Sequence, residues 1–200
     1  EDSSHAVGEV YRYAVFLAGP LEEQMAKTEG SIFSMYKDFF TRNAELNHSN
    51  EQWICYKTSE NEFPTHEELL SLSAIFITGS FADAFDNDTR WVVNLRRMIY
   101  QIMNDAAYSH IKLVGFCFGH QVIAHSLGGK AYVNPLKSNI HDNWEIGTRD
   151  IQLSPKFLTV FPALAKYKNA RKLRVLEHHR DAVISIPRDA VLLGSSKWCS

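Results

Sequence analysis

Residues 111–130 read Ile-Lys-Leu-Val-Gly-Phe-Cys-Phe-Gly-His-Gln-Val-Ile-Ala-His-Ser-Leu-Gly-Gly-Lys, and this stretch decides the fold. The apolar run Ile111–Phe116 is typical of a buried strand, and a helical pattern then continues to Gly128-Gly129. Cys117 lies at the sharp turn between strand and helix. We call the segment Gly115–Gly119 the elbow. Its two terminal glycines lack the Cβ atoms that would clash in such a turn, a pattern typical of a turn that exposes a nucleophile above the carboxyl edge of a sheet.

The position of Cys117 also favours its reactivity. The helix that begins after it directs the positive end of its dipole at the sulfur, which favours the thiolate. The alternative is a buried cysteine in a glycine-rich turn, but the paired glycines and the helix directly afterwards favour a nucleophile. The other cysteines, Cys55 and Cys199, are predicted to be small buried hydrophobic residues. Three cysteines are too few for a disulfide framework, which favours a reducing compartment and predicts a cytoplasmic protein.

Apolar segments alternate with helical patterns over the first two thirds of the chain. Such an order predicts the α/β class, with one doubly wound, mostly parallel sheet and helices on both faces. Residues 1–10 are predicted to be a disordered tail, and residues 11–200 a single domain. The predicted strands are Tyr11–Ala18, Trp53–Lys57, Ala74–Thr78 and Ile111–Phe116, with shorter ones at 151–153, 173–176, 183–186 and 191–193. Helices are predicted around Ile32–Phe40, from a capping box formed by Thr65 and Glu68, and over Trp91–Ala107.

Composition excludes several classes of function. The 200 residues carry a net charge of −2 at pH 7 with histidine neutral, so there is no electrostatic case for a nucleic-acid or membrane partner. No apolar run approaches the ~20 residues that span a bilayer. The nine histidines lack zinc-site spacing, and Asp83, Asp86 and Asp88 lack the glycine and the terminal glutamate of a calcium loop. No glycine-rich phosphate-binding motif is present. We therefore expect no metal and no cofactor.

Four segments carry a resemblance to a known family. Gly115-Phe116-Cys117-Phe118-Gly119-His120-Gln121 resembles the nucleophile motif of class I glutamine amidotransferases. Residues 78–84, Thr-Gly-Ser-Phe-Ala-Asp-Ala, resemble the glycine loop that precedes this motif. Glu145-Ile146-Gly147 resembles the Glu-x-Gly segment, and residues 179–183 resemble the late His-x-Asp segment. The match extends from Tyr11 to Ser200 and is strongest to stand-alone members such as the γ-glutamyl peptidases. It implies a flavodoxin-like sheet.

The resemblance implies roles for the matching residues. Cys117 corresponds to the nucleophile that attacks the amide carbonyl of a small γ-glutamyl substrate and forms a γ-glutamyl thioester. The backbone N–H of Phe118, with one from Gly79 or Ser80, would form the oxyanion hole, where one donor is worth roughly 10²–10³ in rate. Three further residues are implied to lie near the substrate: Gln121, Glu145 and His179.

The sequence offers several alternatives for the base that would assist Cys117. In the family a late Gly-His-Pro-Glu-type turn supplies a His/Glu pair, and here no histidine follows His179. His179 with Asp181 or Glu177 is the best local candidate, although the resemblance places the pair elsewhere. One hypothesis is a hydrolase or transferase whose C-terminal segment or second chain is missing from this sequence. The alternatives are a non-catalytic amidotransferase-like binding protein and a glutaminase subunit that feeds a separate synthase.

Overall fold

The computed structural model describes residues 10–19, 31–43, 50–133, 144–166, 171–197 and 199. The predicted N-terminal tail lies outside these residues, apart from Val10. The chain divides into two compact units, which we call the first and second units. The first contains Glu1–Ala82 and Asn87–His120, and the second contains Asp83–Asp86 and Gln121–Ser200. The expectation of one domain over 11–200 stays a prediction.

The first unit is built on a parallel sheet of four strands in the order β2-β1-β3-β4, which confirms the predicted α/β class. The strands are β1 (Tyr11–Phe16), β2 (Glu51–Tyr56), β3 (Ala74–Ile77) and β4 (Lys112–Gly115). All four residues of β3 are buried, because this apolar strand lies in the interior of the sheet. Its carboxyl end lies beside that of β4, and the elbow follows β4 directly.

The first strand is shorter than the predicted Tyr11–Ala18. It ends at Phe16, and the acceptor changes from a neighbouring strand to a side chain at Ala18. The N–H of Leu17 donates to the carbonyl of Tyr56 at 2.9 Å, whereas the N–H of Ala18 donates to the side-chain Oγ1 of Thr78 at 3.0 Å. A side chain that replaces a strand carbonyl as acceptor ends the ladder.

Within the described residues of the first unit, four α-helices begin: α1 (Ile32–Asn43), α2 (His66–Ser71), α3 (Arg90–Asn104) and α4 (Phe118–Ser126). The predicted capping box is confirmed, since Thr65 Oγ1 accepts from the N–H of Glu68 while the Glu68 carboxylate accepts from the N–H of Thr65 at 2.7 Å. Helix α3 ends before the predicted Ala107. The Asp105 side chain accepts from the N–H of Ala107 at 2.9 Å and starts a separate 3-10 turn, Ala106–Tyr108.

The second unit contains two antiparallel sheets. In one, β5 (Lys130–Val133) pairs with β8 (Asp181–Ser185), and in the other β6 (Glu145–Leu153) lies between β7 (Lys172–His179) and β9 (Gly194–Ser195). A short helix, α5 (Pro155–Val160), follows β6. The predicted strand at 191–193 is wrong. Leu193 instead accepts a single hydrogen bond from the N–H of Ser154 at 2.8 Å, and pairing begins one residue later.

No helix in the described ranges is long and apolar enough to cross a membrane.

Candidate active site

The elbow holds Cys117 in an unusual backbone conformation. Its φ is 52°, in the left-handed region that residues with a Cβ adopt only at a cost of about 1–2 kcal/mol. Two backbone hydrogen bonds fix the turn: the N–H of Phe116 donates to the carbonyl of Ile77 at 3.0 Å, and the N–H of Gly119 donates to the carbonyl of Phe116 at 2.9 Å. Cys117 is exposed. The chain therefore presents this thiol outward at the end of the sheet.

The two glycines of the elbow are sterically required. A Cβ on Gly115 would lie 2.5 Å from the backbone nitrogen of His120, and a Cβ on Gly119 would lie 2.8 Å from the carbonyl carbon of Ile77. Both neighbours are backbone atoms, which cannot move aside as a flexible side chain can. The sharp turn around Cys117 therefore requires glycine at both of these positions.

The loop after β3 lies directly against the nucleophile candidate. A Cβ built on Gly79 would lie 3.6 Å from the Cβ of Cys117 and 4.0 Å from its Sγ. Ser80 Oγ accepts from the N–H of Ala82 at 3.1 Å, which closes the loop on itself. The structure therefore brings Gly79 and Cys117 together at the carboxyl ends of adjacent parallel strands, where α/β proteins bind ligands.

Phe118, the other predicted oxyanion donor, is the first residue of α4. An N–H in the first turn of a helix has no acceptor within that helix, and it lies at the positive end of the helix dipole. The Phe118 side chain is fully buried and packs against Trp91 with ring centroids 5.5 Å apart. This packing anchors the start of α4 at the elbow.

Tyr36 of α1 is a member of this site that sequence reasoning missed. Its ring lies edge-to-face on Phe116 at 5.3 Å, and its hydroxyl is close enough to Gly79 and Cys117 for both to act on its pKa. Burial, followed by the charge of Cys117, raises the pKa of Tyr36 to about 12, and the backbone of Gly79 partly offsets this rise.

The sequence offered one signal for Tyr36, and it pointed elsewhere. Tyr36 recurs at helical spacing with Ile32, Phe39 and Phe40, which predicts a residue of the apolar face. The ring does pack on that face, but the hydroxyl extends to Gly79. Periodicity identifies which face of a helix is apolar and contains no information on a polar group at the end of one side chain.

The three remaining predicted site residues lie in the second unit. Gln121 is buried, and its Nε2 donates to the backbone oxygen of Asp181 at 2.8 Å. Glu145 is only 1% exposed; its Oε1 accepts from Nε of Arg149 at 3.0 Å, and its Oε2 lies 3.7 Å from Nε2 of His179. The structure thus groups Glu145 with His179, while the Gln121 amide is engaged by β8.

His179 is surrounded by acceptors. Its Nε2 lies 3.2 Å from Oε2 of Glu177, and its Nδ1 lies 3.1 Å from the backbone oxygen of Asp181. The Asp181 carboxylate instead accepts from Nε of Arg180 at 2.8 Å. Both ring nitrogens of His179 therefore have oxygen atoms as their neighbours.

Arg180 is a second residue that sequence reasoning did not single out. Besides Asp181, its guanidinium binds the carboxylate of Asp83, at the end of the segment that begins with the Gly79 loop. Hydrogen bonding to Asp181 raises the pKa of Arg180 above its usual value, and the negative charges of Asp181 and Asp83 raise it as well. Asp83 and Arg180 are 97 residues apart in the sequence, so no local pattern predicts the pair.

The other cysteines differ from Cys117 in their surroundings. Cys55 and Cys199 are both partly buried. Burial raises the pKa of the Cys199 thiol, and the nearby Glu177 and Glu145 raise it further. Among the described residues, no group of three or more His, Cys, Asp and Glu side chains is arranged to hold a metal ion.

Comparison with known proteins identifies a family from the sequence and a fold from the structure. The family described as glutamine amidotransferase class-I matches residues 37–198. A glutamine amidotransferase-like protein of Schizosaccharomyces pombe is 28% identical over 94% of this chain and 71% of its own. Gamma-glutamyl peptidase 4 of Arabidopsis thaliana is 31% identical over 95% and 68%. Gamma-glutamyl peptidase 3 of the same plant is 29% identical over 94% and 69%.

Solved structures share the fold. A glutamine amidotransferase from Thermotoga maritima has a TM-score of 0.66 at 20% identity and covers 96% of this chain and 70% of its own. One from Methylobacillus flagellatus has a TM-score of 0.61 at 22% identity, with 96% and 63% covered. The fold is thus the flavodoxin-like α/β fold of these enzymes.

Proposed function

This chain belongs to the class-I glutamine amidotransferase family, and from that we propose that it acts on γ-glutamyl amides with Cys117 as the nucleophile. The observation that carries the proposal is the left-handed Cys117, exposed at the elbow with Gly79 against its side chain. Strained backbone at an exposed nucleophile is typical of a functional site, because the fold must stabilise it elsewhere. The relatives named γ-glutamyl peptidases support the choice of substrate bond.

The proposed reaction has two steps. The thiol of Cys117 loses its proton and attacks the γ-carbonyl carbon as the thiolate, the S–C bond forms, the C–N bond breaks, and the amine leaves with one proton, which balances the proton that the thiol lost. The product on the protein is a γ-glutamyl thioester. Water then adds its oxygen to the carbonyl carbon and releases glutamate and the thiol, which is hydrolysis; an amine in place of water gives transfer. Dividing one difficult step into two easier ones is the benefit of a covalent intermediate.

Negative charge develops on the carbonyl oxygen during attack, and two backbone donors are proposed to stabilise it. One is the N–H of Phe118 at the start of α4, and the other comes from the loop at Gly79 and Ser80. The loop at Gly79 lies against Cys117, since a Cβ built on Gly79 would be 3.6 Å from the Cβ of Cys117. Removing one such donor costs roughly 10²–10³ in rate in a protease.

His179 is not proposed as the base for Cys117, because both of its ring nitrogens already face acceptors. The substrate-binding roles of Gln121, Glu145 and His179 stay predictions.

A γ-glutamyl electrophile tests the proposal. We expect full-length protein incubated with a γ-glutamyl diazoketone to gain one adduct, located on Cys117 by peptide mapping. Cys117→Ser should abolish the adduct, whereas the matched variant Cys55→Ser, which removes a partly buried thiol of β2, should leave it unchanged. Labelling of Cys55 or Cys199 in place of Cys117, or no labelling, would reject the assignment. An adduct on Cys117 without turnover of any γ-glutamyl amide would instead support a binding protein.

A further inference from the structure

An apolar cavity lies beside the elbow in the first unit. It measures about 230 Å³ and is lined by four residues of α1 and one of the elbow: Met35, Tyr36, Phe39, Phe40 and Phe116. For scale, an engineered apolar cavity of about 150 Å³ binds benzene. The cavity is therefore large enough for a phenyl group and the methylene that carries it.

Three of the residues that line this cavity are exposed. Phe39 is 59% exposed, Met35 38% and Phe116 37%. Phe40 completes the wall by packing on Phe116 with ring centroids 6.1 Å apart. Large apolar side chains that stay open around a concave surface gain free energy when a ligand covers them, at about 25 cal/mol per Å² removed from water.

Two of the lining residues connect the cavity to the nucleophile. Phe116 is the residue before Cys117 in the chain. Tyr36 contributes its ring to the cavity wall and packs edge-to-face on Phe116, with ring centroids 5.3 Å apart. A group bound in the cavity would therefore lie next to the bond that Cys117 attacks.

We propose that this cavity binds the apolar side chain of the amine that leaves from the γ-glutamyl amide. This inference rests on the proposed function and adds the class of substrate: γ-glutamyl amides of aromatic or branched aliphatic amines and amino acids. The γ-glutamyl part itself carries an ammonium and a carboxylate, and burying either among phenyl rings without a partner costs several kcal/mol. The leaving amine is the part of the substrate whose side chain is apolar, so it is the occupant that fits.

The first test compares two dipeptides that differ only in this side chain. We expect full-length protein to release phenylalanine from γ-glutamyl-phenylalanine with about tenfold higher kcat/KM than alanine from γ-glutamyl-alanine, at the low end of what a hydrophobic pocket discriminates because this one is open. Phe39→Ala should bring the ratio towards one through a loss of kcat/KM for γ-glutamyl-phenylalanine. Tyr100→Ala removes an aromatic residue of α3 that is similarly exposed, at 57%, and should not alter the ratio.

A second measurement separates the cavity from the catalytic proposal. N-(2-phenylethyl)iodoacetamide and N-methyliodoacetamide carry the same reactive group, and the phenyl reagent should alkylate Cys117 faster in the parent protein but not in Phe39→Ala. If neither dipeptide is turned over while this preference holds, the catalytic proposal fails and the cavity assignment stands. If both dipeptides react equally and the two reagents alkylate equally, the cavity assignment is overturned and the proposed function survives.

Discussion

The backbone conformation of Cys117 predicts both the direction and the size of a stability difference between two variants. A side chain at φ 52° costs about 1–2 kcal/mol, and glycine adopts this φ freely. We therefore expect Cys117→Gly to be more stable than Cys117→Ala, although glycine is normally the less stable choice of the two. Glycine loses about 0.4–1 kcal/mol more unfolded-state entropy than alanine on folding. Taken together, these two effects should make the free energy of unfolding of Cys117→Gly about 0.5–1 kcal/mol larger than that of Cys117→Ala.

A helical position provides the control for this comparison. Ala124 lies within α4, five residues after the elbow, and is 7% exposed. Replacing it by glycine should cost about 1 kcal/mol from helix propensity, and more from the lost methyl contacts. Alanine-to-glycine exchange should thus stabilise the protein at position 117 and destabilise it at position 124.

Urea unfolding followed by circular dichroism measures both differences. The Cys117→Gly and Cys117→Ala variants should have similar m-values, so that their midpoints report the free energy of unfolding directly. Should Cys117→Ala prove the more stable by about 1 kcal/mol, as at position 124, residue 117 is not left-handed and the elbow geometry is wrong.

Three further predictions concern the same unit. Gly119→Ala places a Cβ against the backbone of Ile77 and should lower the free energy of unfolding by about 3 kcal/mol. Gly79→Ala meets only ordinary van der Waals contacts and should lower it by less than about 1 kcal/mol. Equal losses in the two variants would contradict the packing around Gly119. Thr65→Ala removes the capping box and should cost about 1 kcal/mol by thermal unfolding, and no loss would mean the cap does not form in solution. Folding raises the pKa of Tyr36 from 10.0 to about 12, so the free energy of unfolding falls as pH rises between these values. Tyr36→Phe should weaken this fall when urea unfolding is measured across that pH range. An unchanged pH dependence would mean that the phenol is exposed to solvent.

The sequence was sufficient for the elements around the elbow because their signals are local. The apolar runs of β1, β3 and β4, the capping box at Thr65 and the Gly-x-Cys-x-Gly pattern each occupy only a few consecutive residues. A parallel sheet then follows from strands that alternate with helices, and the carboxyl ends of β3 and β4 necessarily bring Gly79 close to Cys117.

The second unit could not be predicted in the same way. Its strands pair with partners that are distant in the sequence, and no local pattern indicates that β5 pairs with β8 or that β6 pairs with β7 and β9. The strand predicted at 191–193 was wrong for this reason, because pairing begins only at Gly194. The Arg180–Asp83 ion pair and the contact between Tyr36 and Gly79 are likewise tertiary contacts, which depend on where separate elements meet.

The central claim is that Cys117 forms a γ-glutamyl thioester, and its most direct test is to trap that intermediate. Full-length protein is mixed with γ-glutamyl-phenylalanine, quenched in acid within the first turnover and digested, and the peptide that contains the elbow is analysed by mass spectrometry. The account predicts a γ-glutamyl group on Cys117 that hydroxylamine removes and that is absent from Cys117→Ala. Release of phenylalanine with an unmodified Cys117, or a γ-glutamyl group on another residue, would contradict it.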